Sequence, residues 1–439
     1  MPQYNPDSFQ EWVDHSIFGL SKKKQQLKHK KVMNLKLKTT LIATLTLISS
    51  FAMNAQEEAL IYGKLTTING DSYTGQIRWG KEEAIWTDIF NGNKEENENY
   101  RYLSRADRND LRDDSRRRNR WNGWNISWNS DYETTHEFQA RFGDIAKLEI
   151  QRRSEVKLTL RNGETIYVED GSNDFNTEVH IMDSELGKTT FRWSRIESIE
   201  FMDTPKNLRD RMGDPMYGTV EFYGGEYTGF IQWDHDERLS EDILDGDTRD
   251  GDVKIEFGKL ASIERDRGGS NIVTQSGREM YLRGSNDVNS ENRGIIVTTD
   301  FGRVDIPWRE FKKVTFKEAP SNAMSYADFS DMKKLSGTVE TTDGETFNGD
   351  IIYDLDEEYT FEMLQGHDDD VEYIISMGNI KSITPKNYDN SIVVLKNGTE
   401  LMLGDARDVN EDNDGVLVFT GGGDPKYIRW DDIKTITFN

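Results

Sequence analysis

Beyond residue 56 the chain alternates apolar and polar positions in short runs that break at glycine-bearing turns. Val156, Leu158 and Leu160 alternate with Lys157 and Thr159 ahead of Asn162-Gly163, and similar runs flank Ser276-Gly277 and Asn397-Gly398. Each turn between two alternating runs predicts a β-hairpin, because such dipeptides reverse the chain where strand periodicity stops. The runs are rich in Val, Ile, Thr, Tyr, Phe and Trp, residues that suit a pleated, half-buried surface. Helical periodicity over a long window is absent from this part of the sequence. One short helix is expected where Ser321-Asn322 precedes the stretch Ala323 to Leu335. The pattern predicts an all-β protein.

The runs recur. Phe191-Arg192-Trp193 to Phe201, Ile306-Pro307-Trp308 to Phe316 and Ile428-Arg429-Trp430 to Phe438 share one ending, with tryptophans 115 and 122 residues apart. Upstream, Gly75, Gly229 and Gly349 each precede an aromatic residue by four positions: Trp79, Trp233 and Tyr353. An acidic loop follows, ending at Gly92, Gly246 or Gly366, and Gly143, Gly258 or Gly378 then opens a further strand. This spacing predicts six modules of about 45–50 residues in three tandem pairs, at 56–201, 216–316 and 335–439. Segments 202–215 and 317–334 link them. The loop-to-closing glycine distance is 12 residues in the second and third pairs and 51 in the first, so the first carries a 39-residue insertion, at about 93–141.

Ser391 to Leu401, with its Asn397-Gly398 turn, resembles the opening of an Sm-like barrel. Gly344, Gly349 and Asp354, and likewise Gly224, Gly229 and Asp234, match the turn, strand and acidic position of that family's first motif. Ile428-Arg429-Trp430 stands where its second motif has Ile-Arg-Gly. SH3-like and PRC-type barrels share this grammar, so the resemblance implies small Sm-like or SH3-like barrels and no particular family. The family's RNA-binding role is not carried over. Trp193, Trp308 and Trp430 replace the motif glycine, Pro307 replaces an arginine, and the Asp-to-Asn spacing is two (Asp174/Asn176, Asp287/Asn289, Asp408/Asn410) in place of four.

Composition narrows the functional classes. The chain of 439 residues has no Cys, 80 acidic and 55 basic residues and a net charge of −25. Without Cys there is no disulfide framework, thiolate metal site or Cys nucleophile. From Met33 the sequence reads as a signal peptide over 33–55: Lys36 and Lys38, an apolar stretch from Leu41 to Ala52, and cleavage expected after Ala55. Residues 1–32 then read as an upstream extension. Loss of residues 1–55, with 8 Lys and 3 acidic residues, leaves 47 basic and 77 acidic, a net −30. The expectation is a periplasmic or secreted protein, with no transmembrane segment in the mature chain and no nucleic-acid partner.

Three constellations hold the candidate chemistry. Asp408, Asn410, Asp412 and Asp414 resemble the oxygen-rich start of a calcium loop, although no Glu stands at the twelfth position; Asx-turn chemistry is the competing reading. The acidic loops (Asp234, Asp236, Glu237 and Asp242; Asp354, Asp356, Glu357, Glu358 and Glu362) could supply a general acid and base, but recur with strand spacing and read first as solvated faces. The insertion places Arg112, Arg116, Arg117, Arg118 and Arg120 before Trp121, Trp124 and Trp128, a composition suited to an anionic glycan or a protein hot spot. The six His show no zinc spacing, and the repeated Trp residues read as core. The function expected is an exported, non-enzymatic scaffold or binding module, with calcium as a possible cofactor and an envelope or extracellular protein or glycan as partner. The alternatives are a carbohydrate-active enzyme and an Arg/Trp binder of an anionic polymer.

Overall fold

The computed structural model describes residues 57–94, 97–111, 137–169, 172–320, 323–329 and 331–439. Residues from Ala55 onward form one compact unit. The upstream extension and the signal peptide lie outside the described residues, as do Arg112, Arg116, Arg117, Arg118, Arg120, Trp121, Trp124 and Trp128. Among the described residues no helix is long and apolar enough to cross a membrane.

The first repeat contains strands β1 (Tyr62–Thr67), β2 (Ser72–Trp79), β3 (Ile89–Lys94), β4 (Glu137–Arg141), β5 (Ile145–Arg152), β6 (Glu155–Leu160), β7 (Thr165–Glu169), β8 (Glu178–Asp183), β9 (Gly187–Arg192) and β10 (Ile196–Phe201). They form an antiparallel sheet in the order β4-β3-β7-β6-β5-β10-β1-β2-β8-β9. The strand pairings of the second repeat reproduce this order. So do those of the third. Strand Gly302–Ile306 of the second repeat also pairs with Val371–Ser376 of the third, fusing the two sheets into one. A side chain at Gly302 would run into the Ile374 carbonyl, so this seam needs its glycine.

The sequence markers acquire physical reasons. At Gly75, Gly229 and Gly349 an added Cβ would meet the carbonyl oxygens of Met182, Thr298 and Phe419 on the neighbouring strand. Close approach of strands, more than turn geometry, requires glycine there. The aromatic four residues later meets the tryptophan of the shared ending. Trp79–Trp193, Trp233–Trp308 and Tyr353–Trp430 pack edge to face at 5.7, 6.0 and 6.1 Å. All six rings are buried, so their recurrence reflects core packing. Each pair adds roughly 0.5–1.5 kcal/mol to what burial of its area contributes.

Two expectations are corrected. Among the described residues, a single 3₁₀ turn, Tyr326–Phe329, forms where a helix was expected. Tyr326 stacks on Trp86 at 4.4 Å and the Phe329 ring lies against Gly143, so packing onto the first repeat overrides local propensity. The insertion is also differently placed. Strand β4 belongs to the repeat, as the equivalent of Asp252–Glu256 and Val371–Ser376, and the added chain is the β3–β4 hairpin connection, residues 95–136. Its first part is structural: Leu103 and Leu111 are buried among Ile352, Leu355 and Leu417 of the third repeat.

Candidate functional site

The loop following each repeat's first aromatic residue folds the same way. The amide N–H groups of Trp79, Trp233 and Tyr353 donate to the carbonyls of Glu83, Glu237 and Glu357 at 2.8, 2.8 and 2.9 Å. This tight reversal needs left-handed backbone, supplied by Gly80 (φ 58°) in the first repeat and by Asp234-His235 and Asp354-Leu355 in the others. A bulky residue there is strained. Leu355, at φ 57°, is held by burial and by Asn97 and Asn99, whose side-chain amides both donate to its carbonyl at 3.0 Å. The first repeat's insertion thus clamps the third repeat's turn.

Two further acidic positions recur. Asp88, Asp242 and Glu362 each use one carboxylate oxygen to accept two successive backbone N–H groups of the loop, at distances from 2.5 to 2.9 Å. Asp174, Asp287 and Asp408 each accept the backbone N–H of the third strand, from Asn91, Asp245 and Gln365, at 2.7, 2.6 and 2.6 Å. Their own carbonyls accept from Trp79 Nε1 (3.0 Å), Trp233 Nε1 (2.9 Å) and the Tyr353 hydroxyl. The aspartate of each Asp-x-Asn motif therefore ties loop, strand and core ring together. The asparagine does make the Asx turn, as in Asn289 to Glu291 N–H (2.7 Å) and Asn410 to Asp412 N–H (2.8 Å).

The acidic loops are not solvated faces. Asp234, Asp354, Asp356, Glu357 and Glu362 are buried; Arg293 and Arg407 of their own repeats lie against Asp234 and Asp354, while Lys94 of the first repeat covers Asp356 and Glu362. Arg78 of the first repeat grips Asp242 of the second at 2.6 and 2.9 Å. In return Arg238, fully buried, donates to Asp88 at 2.5 Å. Between the first and third repeats, Lys94 bridges Asp356 (2.8 Å) and Glu362 (2.9 Å).

Each repeat thereby brings a glutamate and an aspartate together. In the second, single carboxylate oxygens of Asp234, Glu237 and Asp287 lie within 4.8 Å of one another. Burial, then the charges of Asp287, Asp236, Asp234 and Asp242, pushes Glu237 up to about 8. Burial chiefly pushes Asp287 up to about 6, against the Asp245 N–H that favours its anion. In the first repeat burial raises Asp174 to about 6 and Glu83 well above the carboxylate range. In the third, desolvation pushes Asp408 to about 7 and, with Asp408 beside it, holds Glu357 well above its ordinary value.

The calcium candidates take separate partners. Asp408 accepts from Gln365 N–H, Asn410 caps its turn, and Asp414 accepts from Arg407 (2.6 Å) and the Tyr100 hydroxyl (2.5 Å); Asp412 is exposed. The stronger cluster, Glu357 with Asp408, spans two of the sequence's groupings. Its signal was the fixed spacing: a Glu four residues after the aromatic, and Asp88, Asp242 or Glu362 nine after it.

A pocket of about 290 Å³ opens between the first and third repeats. Glu137 and Gln139 of β4 and Lys94 of β3 line it from one side, and Asp356, Glu357, Glu362, His367 and Asp408 from the other. It gathers carboxylates from two repeats into one concavity.

No family model and no curated protein matches the chain. Among solved structures, one titled "Streptogramin B lyase structure" aligns at 11% identity with a TM-score of 0.11, covering 65% of this chain and 87% of that one, a likeness that carries no argument.

Proposed function

We propose that this protein is an exported, non-enzymatic scaffold of the cell envelope, built from six small Sm-like or SH3-like barrel modules in three pairs. One observation carries the reading: in all three repeats the recurring aspartate spends its carboxylate on a strand amide and its carbonyl on a core aromatic. Aspartates that resemble a calcium loop or an Asx turn in the sequence tie loop, strand and core ring together, and they do so three times over. A catalytic dyad needs only one such place. The strand order supports the modular reading, in that the β5–β10 pairing joins two five-strand halves. The inner half, β3 to β7, lies between the two parts of the outer one, so the modules interleave along the chain instead of following one another. Export rests on the pattern of residues 33–55. The basic, Trp-bearing stretch Arg112 to Trp128 is the element we assign to an anionic glycan or protein partner.

The test pairs two measurements. The full chain should release no reducing sugar from a panel of neutral and acidic polysaccharides; turnover that disappears in Glu237→Gln or Glu357→Gln would establish the carbohydrate-active alternative. Replacing residues 112–136 with a short Gly/Ser turn should abolish retention on immobilised heparin without changing thermal stability. Retention that survives the replacement removes this segment as the docking element.

A further inference from the structure

The seam between the second and third repeats shows how two repeats of this chain join edge to edge. Thr299 N–H donates to the Gly302 carbonyl at 2.8 Å, so Gly302–Ile306 bonds its own hairpin through alternate residues and turns the backbone groups of Arg303 and Asp305 outward. There they meet Ile374 and Glu372 of the strand Val371–Ser376. Phe301, just before the glycine, is 8% exposed. Both halves of this joint recur elsewhere. Strand β9 is the first repeat's counterpart of Gly302–Ile306, with Gly187 and Lys188 in the places of Gly302 and Arg303; it ends its sheet and pairs only with β8 among the described residues. Leu186, where Phe301 stands, is 65% exposed, and apart from chain neighbours no described atom lies within 4 Å of a Cβ added to Gly187. In the second repeat Asp252–Glu256 is the counterpart of Val371–Ser376, and its only strand pairing among the described residues is with Ile243–Asp247. Thr248 N–H donates to the Gly251 carbonyl at 3.0 Å, so Asp252 and Lys254 turn their backbone groups outward. The third repeat's strand Lys426–Ile428 is covered instead: Tyr427 packs on the cluster of Leu103 and Leu111, and Asp110 pairs with Arg429 at 3.3 Å.

We infer that a second copy of this chain docks here: β9 of one molecule adds antiparallel to Asp252–Glu256 of the next, with Gly187 opposite Ile255 and Thr190 opposite Asp252. An open strand edge is a template for another strand, and the seam within this chain shows which strand fits it. Charge agrees. The exposed Lys188 and Arg192 of β9 fall on the face that carries Asp252 and Glu256. Lys254 stands directly opposite Lys188, a like charge that keeps the association weak. Because each copy offers one kind of edge and takes the other, copies join head to tail, in a row or a closed ring.

The experiment is sedimentation velocity on the full chain, from low micromolar to near-millimolar concentration. The expected result is a mass that rises above the monomer with concentration. Lys254→Pro removes an outward N–H and leaves the hairpin's own bonds, so it should return the chain to monomer at an unchanged melting temperature. Leu186→Asp, on the other edge, should do the same, which keeps the test decisive if the proline variant fails to fold. Each variant retains the edge the other has lost, so an equimolar mixture should form dimers and nothing larger. Lys254→Glu should tighten association roughly twofold to fivefold by removing the like charge opposite Lys188. A chain monomeric at every concentration, assembly that survives both edge variants, a mixture that stays monomeric, or assembly lost on replacing residues 112–136 would each overturn the inference. None of these outcomes bears on polysaccharide turnover or heparin retention.

Discussion

The second and third repeats carry their acidic clusters at equivalent positions, yet the two are different objects. Asp234, Glu237 and Asp287 close on one another within the second repeat, with Arg293 and Asn286 of the same repeat against Asp234. Asp354, Glu357 and Asp408 face a neighbour: β4 of the first repeat brings Glu137 and Gln139, and β3 brings Lys94. The same local frame therefore yields a self-contained carboxylate group in one place and a shared pocket in the other. Local sequence sets the carboxylates; the adjacent repeat decides what they can hold.

The interface cations divide the clusters most sharply. Arg238→Met strands the Asp88 carboxylate, and breaking a fully buried pair in this way should lower stability by about 3–5 kcal/mol in chemical denaturation. Lys94→Met does the same to Asp356 and Glu362, but its side chain is 15% exposed and water can partly replace it, so about 1–3 kcal/mol is expected. Equal losses would mean that the two interfaces are held alike.

Proton linkage comes next in size. Glu237, Asp287, Asp174 and Asp408 all have folded values above their unfolded ones, so the native state binds more protons through the intervening window. Their contribution is fully present below about pH 4 and is lost as pH rises through about 6 to 8. In metal-free buffer the melting temperature should fall between pH 5 and pH 8.5. Glu237→Gln should flatten the upper part of that fall, from about pH 6 to 8, because its carboxyl holds its proton longest among those four. A slope unchanged by the variant would assign the effect to the third repeat.

The smallest expected effect concerns the clamp. Tyr100→Phe removes the 2.5 Å hydrogen bond from its hydroxyl to Asp414 and should cost about 1 kcal/mol, while leaving the second-repeat cluster untouched. A larger loss, read by denaturant unfolding, would show that residues 97–111 do more of the work of joining the first and third repeats than their burial suggests.

Much of the fold was legible. The Asn162-Gly163, Ser276-Gly277 and Asn397-Gly398 turns each join a paired hairpin, and the thrice-repeated aromatic and glycine frame marked the strands that meet. Periodicity reveals these features because a strand pairs largely with chain a few tens of residues away. Burial of the acidic loops was not legible. Alternation of charged and apolar residues looks the same whether water or another repeat covers the polar side, and Arg238 reaches Asp88 across 150 residues.

By itself, then, the sequence determined an all-β chain, its three-fold recurrence and the recurring Trp79, Trp233 and Tyr353 and Asp174, Asp287 and Asp408. Only the tertiary structure decided that recurring acids are buried, within one repeat in the second and against a neighbour in the third, that β4 belongs to the sheet and not to the insertion, and that Gln139 and Glu357 line one pocket. The physical reason is range. Backbone hydrogen bonding and side-chain alternation are written in neighbouring residues, whereas desolvation and charge pairing depend on which distant surface arrives to exclude the water.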